Sequence, residues 1–78
     1  MKKLNLRKDE AMEEIRDMFG RLLAYGNSMT GEIESEYRKQ LTIAKLSVGE
    51  EIIIVRDGIL TTITRTTPQT LRVDSDYA

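Results

Sequence analysis

The sequence contains no cysteine, no histidine and no tryptophan, and it has only one proline. Without cysteine it cannot form disulfides, and without cysteine and histidine it lacks the side chains that bind structural zinc. The same absences remove the usual thiolate nucleophile and the usual general base of enzymes. No apolar stretch is long enough to span a membrane. We therefore expect a cytoplasmic protein without membrane association, metal, cofactor or catalytic site.

Two short motifs come close to a ligand site without completing one. Gly20, Gly26 and Gly31 match neither the dinucleotide-binding pattern nor the P-loop pattern. The Asp-Ser-Asp run at residues 74–76 resembles part of a calcium loop, but it lacks the central glycine and the closing glutamate. We interpret residues 74–76 as a frayed end of the chain.

The chain is short, which limits how it can be stabilised. A domain of 78 residues buries only about 60% of the surface that its unfolded chain exposes. Small domains compensate with disulfides, a metal or an oligomer interface. Since the first two are excluded by composition, we predict a single domain over residues 1–78 that associates with a second copy.

Charge is balanced overall but unevenly distributed. The formal net charge is −1, so the chain has no global positive field for a phosphate backbone. Residues 1–8 nevertheless form a basic arm, and the section that follows is acidic.

Residues 9–25 have the spacing of an amphipathic helix. Met12, Ile15, Phe19 and Leu22 recur at intervals of three and four, which places them on one helical face. Gly26-Asn27 supplies a stop where φ can become positive. We predict a helix over residues 9–25 with this apolar face buried.

Residues 32–46 allow two interpretations. Ile33, Tyr37, Leu41 and Ala44 repeat at four, four and three, which favours a helix. Ile33, Tyr37, Leu41 and Ile43 also all occupy odd positions, so that part of the segment could be a strand. We predict a second helix and leave the strand as the alternative.

The last section predicts antiparallel strands. A β-branched run at residues 52–55 precedes Asp57-Gly58, a strong signal for a two-residue hairpin turn. Pairing across this turn sets Arg56 opposite Ile59, and residues 71–73 can return as a short third strand. We predict a β-meander over residues 52–73 and, with the helices before it, an α+β fold.

The predicted hairpin is apolar on both faces. One face carries Ile52 and Ile54, and the other carries Ile53, Val55 and Leu60. Because a sheet with one solvated side alternates more cleanly, we predict a homodimer with Ile53, Val55 and Leu60 at its interface. The alternative is that the two helices wrap both faces of one small sheet.

Several motifs from Tyr25 onward follow a known order. They are Tyr25-Gly26-Asn27-Ser28, Ile33, a helix ending near Leu41, Gly49-Glu50-Glu51-Ile52 and Asp57-Gly58-Ile59-Leu60. This order resembles the AbrB/MazE-like swapped-hairpin family of antitoxins and transcription regulators. The resemblance implies an intertwined dimer that binds DNA, a toxin, or both. Glu32-Ile33-Glu34 stands where the family has an Arg-Ile-Pro type of step, which reverses the DNA-reading charge and favours a protein partner.

These observations favour a small non-catalytic binding protein, an inhibitor or antitoxin-like protein of a phage or mobile element, which occludes a surface of a target protein. The predicted contacts are acidic residues on the exposed side of the first helix, suited to a basic target: Glu10, Glu13, Glu14 and Asp17. The alternative is a dimeric DNA-binding transcriptional regulator whose phosphate contacts lie on the basic arm: Lys2, Lys3, Arg7 and Lys8. A structural subunit is a further alternative.

Overall fold

The computed structural model describes residues 12–78, and this part of the chain forms seven β-strands and no helix. The first sheet is an antiparallel meander of β1 (Glu13–Arg16), β2 (Leu22–Asn27), β3 (Glu32–Tyr37) and β4 (Gln40–Lys45). The second sheet is an antiparallel meander of β5 (Glu51–Arg56), β6 (Ile59–Thr67) and β7 (Thr70–Tyr77). Residues 46–50 connect the two sheets. The predicted α+β fold is therefore wrong, and the described chain is all β.

The helix predicted over residues 9–25 is replaced by β1, a tight turn and β2, while residues 9–11 lie outside the described part. The N–H of Gly20 donates to the carbonyl of Asp17 at 2.9 Å. Gly20 has a φ of +82°, a left-handed conformation that no right-handed helix contains. The chain reverses here, so the apolar spacing of three and four does not form a helical stripe.

The helix predicted over residues 32–46 is also wrong, and the strand alternative is the observed one. β3 and β4 pair with Tyr37 opposite Gln40, joined by the two residues Arg38 and Lys39. Both have positive φ, 53° and 66°, as a type I′ hairpin turn requires. Ile33 and Tyr37 therefore share one face of a strand rather than one stripe of a helix.

The hairpin predicted across Asp57-Gly58 is confirmed in its register, with Arg56 opposite Ile59 and Ile54 opposite Thr61. The third strand is longer than predicted, since β7 continues to Tyr77. Residues 74–76 pair with β6 and are not a frayed end. The hydroxyl groups of Thr61 and Ser75 form a hydrogen bond of 2.8 Å between these two strands.

The two sheets pack face to face around a small core. Its buried members come from both sheets and from the connection between them: Ile15, Leu23, Ala24, Ile33, Leu46 and Ile63. Gly26 shows how closely the layers approach, because a Cβ there would lie 2.7 Å from a methyl group of Ile15 and 2.9 Å from one of Leu71. The absence of a side chain at Gly26 thus lets β7 pack on β2.

Arg65 ties the sheets together at one end of the sandwich. Its guanidinium donates hydrogen bonds of 2.8 to 3.2 Å to four backbone carbonyls, those of Met29, Thr30, Leu46 and Pro68. Gly31, with a φ of +83°, lies next to the Arg65 side chain, and a Cβ on it would overlap the Leu46 carbonyl oxygen. These contacts give this end of the molecule a structural role.

Candidate binding sites

At the opposite end, three turns and the last residues of β7 meet, and we call this the aromatic end. The turn at residues 17–21 contacts the turn at residues 57–58 through an ion pair of 3.1 Å between Arg21 and Asp57. The N–H of Ala78 donates to the carbonyl of Gly58 at 2.9 Å, which holds β7 beside them. Three of the four aromatic residues of the sequence lie here: Phe19, Tyr37 and Tyr77.

Two of these rings form an exposed patch. Phe19 is 60% exposed and Tyr77 is 70% exposed, and their rings meet edge to face with centroids 6.3 Å apart. The Arg21 guanidinium lies over the Phe19 ring at 5.8 Å from its centroid, and Met18 is exposed beside it in sequence. We call these four residues the Phe19–Tyr77 patch. Phe, Tyr, Met and Arg are the residue types that are enriched at protein interfaces.

Asp17 holds Phe19 and Arg21 of this patch in place through hydrogen bonds to its carboxylate. One of its carboxylate oxygens accepts hydrogen bonds from the backbone N–H groups of Phe19 and Arg21, at 2.9 and 3.0 Å, and the other accepts one from the Arg21 guanidinium at 3.0 Å. Burial alone would raise the pKa of Asp17. These hydrogen bonds and the positive charge of Arg21 outweigh burial and hold the pKa of this carboxyl below its ordinary value.

A groove of about 240 Å³ runs between the sheets, and we call it the Arg56 groove. Its walls come from the facing sides of β3, β4 and β5. At the aromatic end, the guanidinium carbon of Arg56 lies 4.1 Å from the centroid of the Tyr37 ring, and that of Arg38 lies 5.1 Å from it. A guanidinium nitrogen of Arg56 also lies 3.5 Å from the Ser35 hydroxyl. Arg56 thus lines one end of the groove, and Arg38 lies against the Tyr37 ring that lines the same end.

The acidic residues predicted to bind a protein do not share one surface. Glu13 and Glu14 are exposed on β1, where successive side chains point to opposite faces, and Glu14 forms an ion pair of 2.8 Å with Arg16. The side chain of Asp17 is only 1% exposed, because it is occupied within its turn. Glu10 lies outside the described residues, as do the predicted DNA contacts Lys2, Lys3, Arg7 and Lys8.

The three residues predicted at a dimer interface do share a surface. Val55 pairs with Leu60, and Ile53 pairs with Thr62, so that all four side chains lie on the outer face of the second sheet. Ile53 is 50% exposed and Val55 is 60% exposed. That a second copy covers this face stays a prediction.

Sequence reasoning missed the residues of both sites, although signals for some were present. Asp17 and Gly20 occupy the first and fourth positions of a turn, which are favoured positions for aspartate and glycine, and this pattern could have placed Phe19 on a turn. The odd positions of Ile33 and Tyr37, on which the strand alternative for residues 32–46 is based, place Tyr37 on a strand. Nothing in the sequence signals the turn at Arg38 and Lys39, since neither residue type favours positive φ.

No group of three or more acidic side chains that could hold a metal ion occurs within residues 12–78. The same part of the chain contains no helix suited to crossing a membrane. No family model matches the sequence, and no curated protein or solved structure is similar enough to count as a match.

Proposed function

We propose that this protein is a non-catalytic binding protein that occludes a surface of a partner protein, in the manner of an inhibitor or antitoxin. The Phe19–Tyr77 patch carries the contact. The single observation behind the proposal is that two exposed rings, a methionine and an arginine lie together at one end of the sandwich, on the turn at residues 17–21 and the end of β7.

The physics of exposed aromatic residues supports this function. Removing two rings from water on binding is favourable in proportion to the apolar area, at about 25 cal/mol per Å². Aromatic and arginine side chains are the commonest energetic hot spots of interfaces. Turns at one end of a β-sandwich are a frequent location for recognition, because the sheets fix their positions. The chemistry of the patch suits a partner with an apolar pocket that accepts the two exposed rings.

The test is affinity capture from the native host with the wild-type protein and with the double variant Phe19→Ser/Tyr77→Ser. We expect the variant to lose the partner that the wild type captures, with affinity for the purified partner weakened by about 30-fold or more, the effect of losing about 2 kcal/mol at a hot spot. Met29→Ser/Val48→Ser is the matched control, since both residues are exposed and apolar but lie outside the aromatic end.

Two results would contradict the proposed contact. If Glu13→Lys/Glu14→Lys abolishes capture while Phe19→Ser/Tyr77→Ser retains it, the acidic strand β1 is the interface. If the wild type binds duplex DNA with log affinity that falls steeply with log salt, and this binding vanishes when residues 1–8 are deleted, the DNA-binding regulator is the better reading.

A further inference from the structure

We propose that the Arg56 groove binds a small carboxylate with an aliphatic body, with Arg56 and Arg38 as the counter-charges. This site is separate from the Phe19–Tyr77 patch and does not depend on the function proposed for it. The proposal rests on the polarity of the groove, on the lack of a carboxylate partner for Arg56 and Arg38 among residues 12–78, and on the conformation of the turn that carries Arg38.

The groove changes from apolar to polar along two of the three strands that line it, β3 and β5. On β5, the side chains that face the first sheet are Ile52, Ile54 and then Arg56. On β3, the facing side chains are Ile33, Ser35 and Tyr37, and their partners on β4 are Ala44, Thr42 and Gln40. Two strands, β3 and β5, thus place hydrocarbon at one end of the groove and polar groups at the other, and β4 adds the hydroxyl of Thr42 and the amide of Gln40. An amphiphilic molecule has the same gradient.

The two cations at the polar end have no carboxylate partner among the described residues. Arg16, Arg21 and Arg72 each form ion pairs of 3.1 Å or less with an aspartate or glutamate. Arg56 instead contacts a ring and a hydroxyl group, and Arg38 contacts the same ring. Arg56 is half-buried, so a second like charge beside it is unfavourable in the free protein. An anion in the groove would relieve this repulsion.

The turn that carries Arg38 is strained, whereas the matching turn of the other sheet is not. Asp57 and Gly58 have positive φ, 54° and 79°, and Asp-Gly is the preferred pair for such a turn. Arg38 and Lys39 adopt the same conformation without a residue type that favours it, at a cost of order 1 kcal/mol or more each. The sequence tolerates this strain at a turn whose Arg38 guanidinium lies against Tyr37, a residue that lines the polar end of the groove. Strain of this kind concentrates at functional sites.

The volume of the groove sets the size of the ligand. A cavity of about 150 Å³ holds benzene, so that 240 Å³ accommodates roughly ten non-hydrogen atoms. A carboxylate matches the planar fork of a guanidinium through two parallel hydrogen bonds. Octanoate, with a carboxylate on an aliphatic chain, fits both the volume and the gradient and serves as the probe.

The experiment is titration of the full-length protein with octanoate, followed by backbone amide NMR and by calorimetry. We expect saturable binding with shifts concentrated in β3, β4 and β5. Arg56→Gln should weaken binding by about tenfold or more, as expected for the loss of a charge-assisted hydrogen bond. Arg72→Gln removes the same charge from an exposed ion pair on the second sheet and should leave the affinity within about twofold, because exposed charges act weakly at a distance.

A second variant separates binding from folding. Arg38→Asn/Lys39→Gly supplies residues suited to positive φ, so we expect its thermal midpoint to rise while its affinity for octanoate falls by about threefold or more, from the lost attraction of two exposed positive charges. A midpoint that rises with unchanged octanoate affinity would remove Arg38 from the site and contradict the proposal.

Related ligands define what would overturn the assignment. Octanol should bind much more weakly than octanoate, since it lacks the charge, and acetate should bind more weakly, since it lacks the aliphatic body. Equal affinity for octanol would show an apolar cleft only. Tighter binding of octyl phosphate would assign the site to a phosphate instead, and octanoate shifts that persist unchanged in Arg56→Gln would reject the site.

Discussion

Asp17 is the residue on which the conformation of the Phe19–Tyr77 patch most depends. Its carboxylate satisfies two backbone N–H groups and the guanidinium that lies over Phe19. A charged group that is almost fully covered is stabilising only while these partners remain in place. The ion pair of Arg21 with Asp57 then links this arrangement to the second sheet. One carboxylate thus orders a turn, an arginine and an aromatic ring.

The lowered pKa of Asp17 predicts how stability responds to acid. Because the folded pKa lies below the ordinary value of 3.8, the unfolded chain binds the proton more readily, and stability must fall as pH falls. This contribution is fully present above the ordinary value and is lost as pH decreases through the folded pKa. We expect wild type to exceed Asp17→Asn in thermal midpoint at pH 6 and this difference to shrink between pH 4 and pH 2, measured by circular dichroism.

The control for this experiment is Asp74→Asn. Asp74 pairs with Arg72 on the surface, with both side chains more than half exposed, and such pairs contribute little to stability. Its thermal midpoint should therefore stay close to that of wild type. A midpoint difference between wild type and Asp17→Asn that grows toward low pH would contradict the assigned direction of the pKa shift.

At the scale of elements, the sequence predicted the second sheet well and the first sheet poorly. The hairpin of β5 and β6 carries every local signal: β-branched residues on both sides and an Asp-Gly pair at the turn. Local preference and tertiary structure agree there, which is why even the pairing of Arg56 with Ile59 could be predicted. The extension of β7 to Tyr77 could not, since its acidic residues have low strand propensity and gain their place by pairing with β6.

In the first sheet, local preference and tertiary structure disagree. The spacing of Met12, Ile15, Phe19 and Leu22 imitates a helical stripe because an exposed turn happens to contain apolar residues. From the sequence alone, apolar residues with this spacing are expected in the core. That Phe19 is instead exposed is evident only from the folded structure. The turn between β3 and β4 could not be predicted for a different reason. It is formed by Arg38 and Lys39, and neither arginine nor lysine is a usual turn residue.

The Arg56 groove was beyond the sequence altogether. It forms where β3 and β4 of one sheet face β5 of the other, and Tyr37 and Arg56 are far apart along the chain. Only the packing of the two meanders brings the Arg56 guanidinium onto the Tyr37 ring. Sequence reasoning assigned Tyr37 to a helix and Arg56 to the end of a hairpin, and neither assignment implies their contact.

Arg65 provides a prediction about how the two sheets are joined. Its planar guanidinium reaches four carbonyl oxygens on three different segments, a geometry that the single ammonium of lysine cannot reproduce. We expect Arg65→Lys to lower the free energy of unfolding by about 1 to 3 kcal/mol, because several charge-assisted hydrogen bonds are lost, one of them to the part-buried carbonyl of Leu46. Urea denaturation measures this difference.

Arg72→Lys is the matched comparison for Arg65. It makes the same substitution in an exposed ion pair and should change the free energy of unfolding by less than about 0.5 kcal/mol. Equal effects of the two substitutions would mean that Arg65 does not join the sheets. A large effect confined to Arg65 would show that the end of the sandwich opposite the aromatic end contributes structural stability.

At the scale of the whole molecule, the two ends of the sandwich differ in chemistry. At one end, the guanidinium of Arg65 donates hydrogen bonds to four backbone carbonyls. At the aromatic end, Phe19 and Tyr77 remain exposed, and the guanidinium groups of Arg21 and Arg38 lie against aromatic rings. A small domain has little stability to spare, and apolar residues that do not pack in its core do not add to that stability. We therefore expect such exposed residues where another molecule binds. The outer face of the second sheet also exposes apolar residues that do not pack in the core.

That outer face carries the last prediction, which concerns assembly. Ile53, Val55 and Leu60 form an apolar surface, with Ile53 and Val55 at least half exposed, and burying it against a second copy would add apolar area that this thin core lacks. We expect a homodimer whose thermal midpoint rises with protein concentration. Ile53→Asp or Leu60→Asp should weaken the dimer more than Thr62→Asp, since Thr62 lies opposite Ile53 on the same face but is already polar. Light scattering that gives a monomer at high micromolar concentration would reject the dimer, and equal effects at Ile53 and Thr62 would place its interface elsewhere on the molecule.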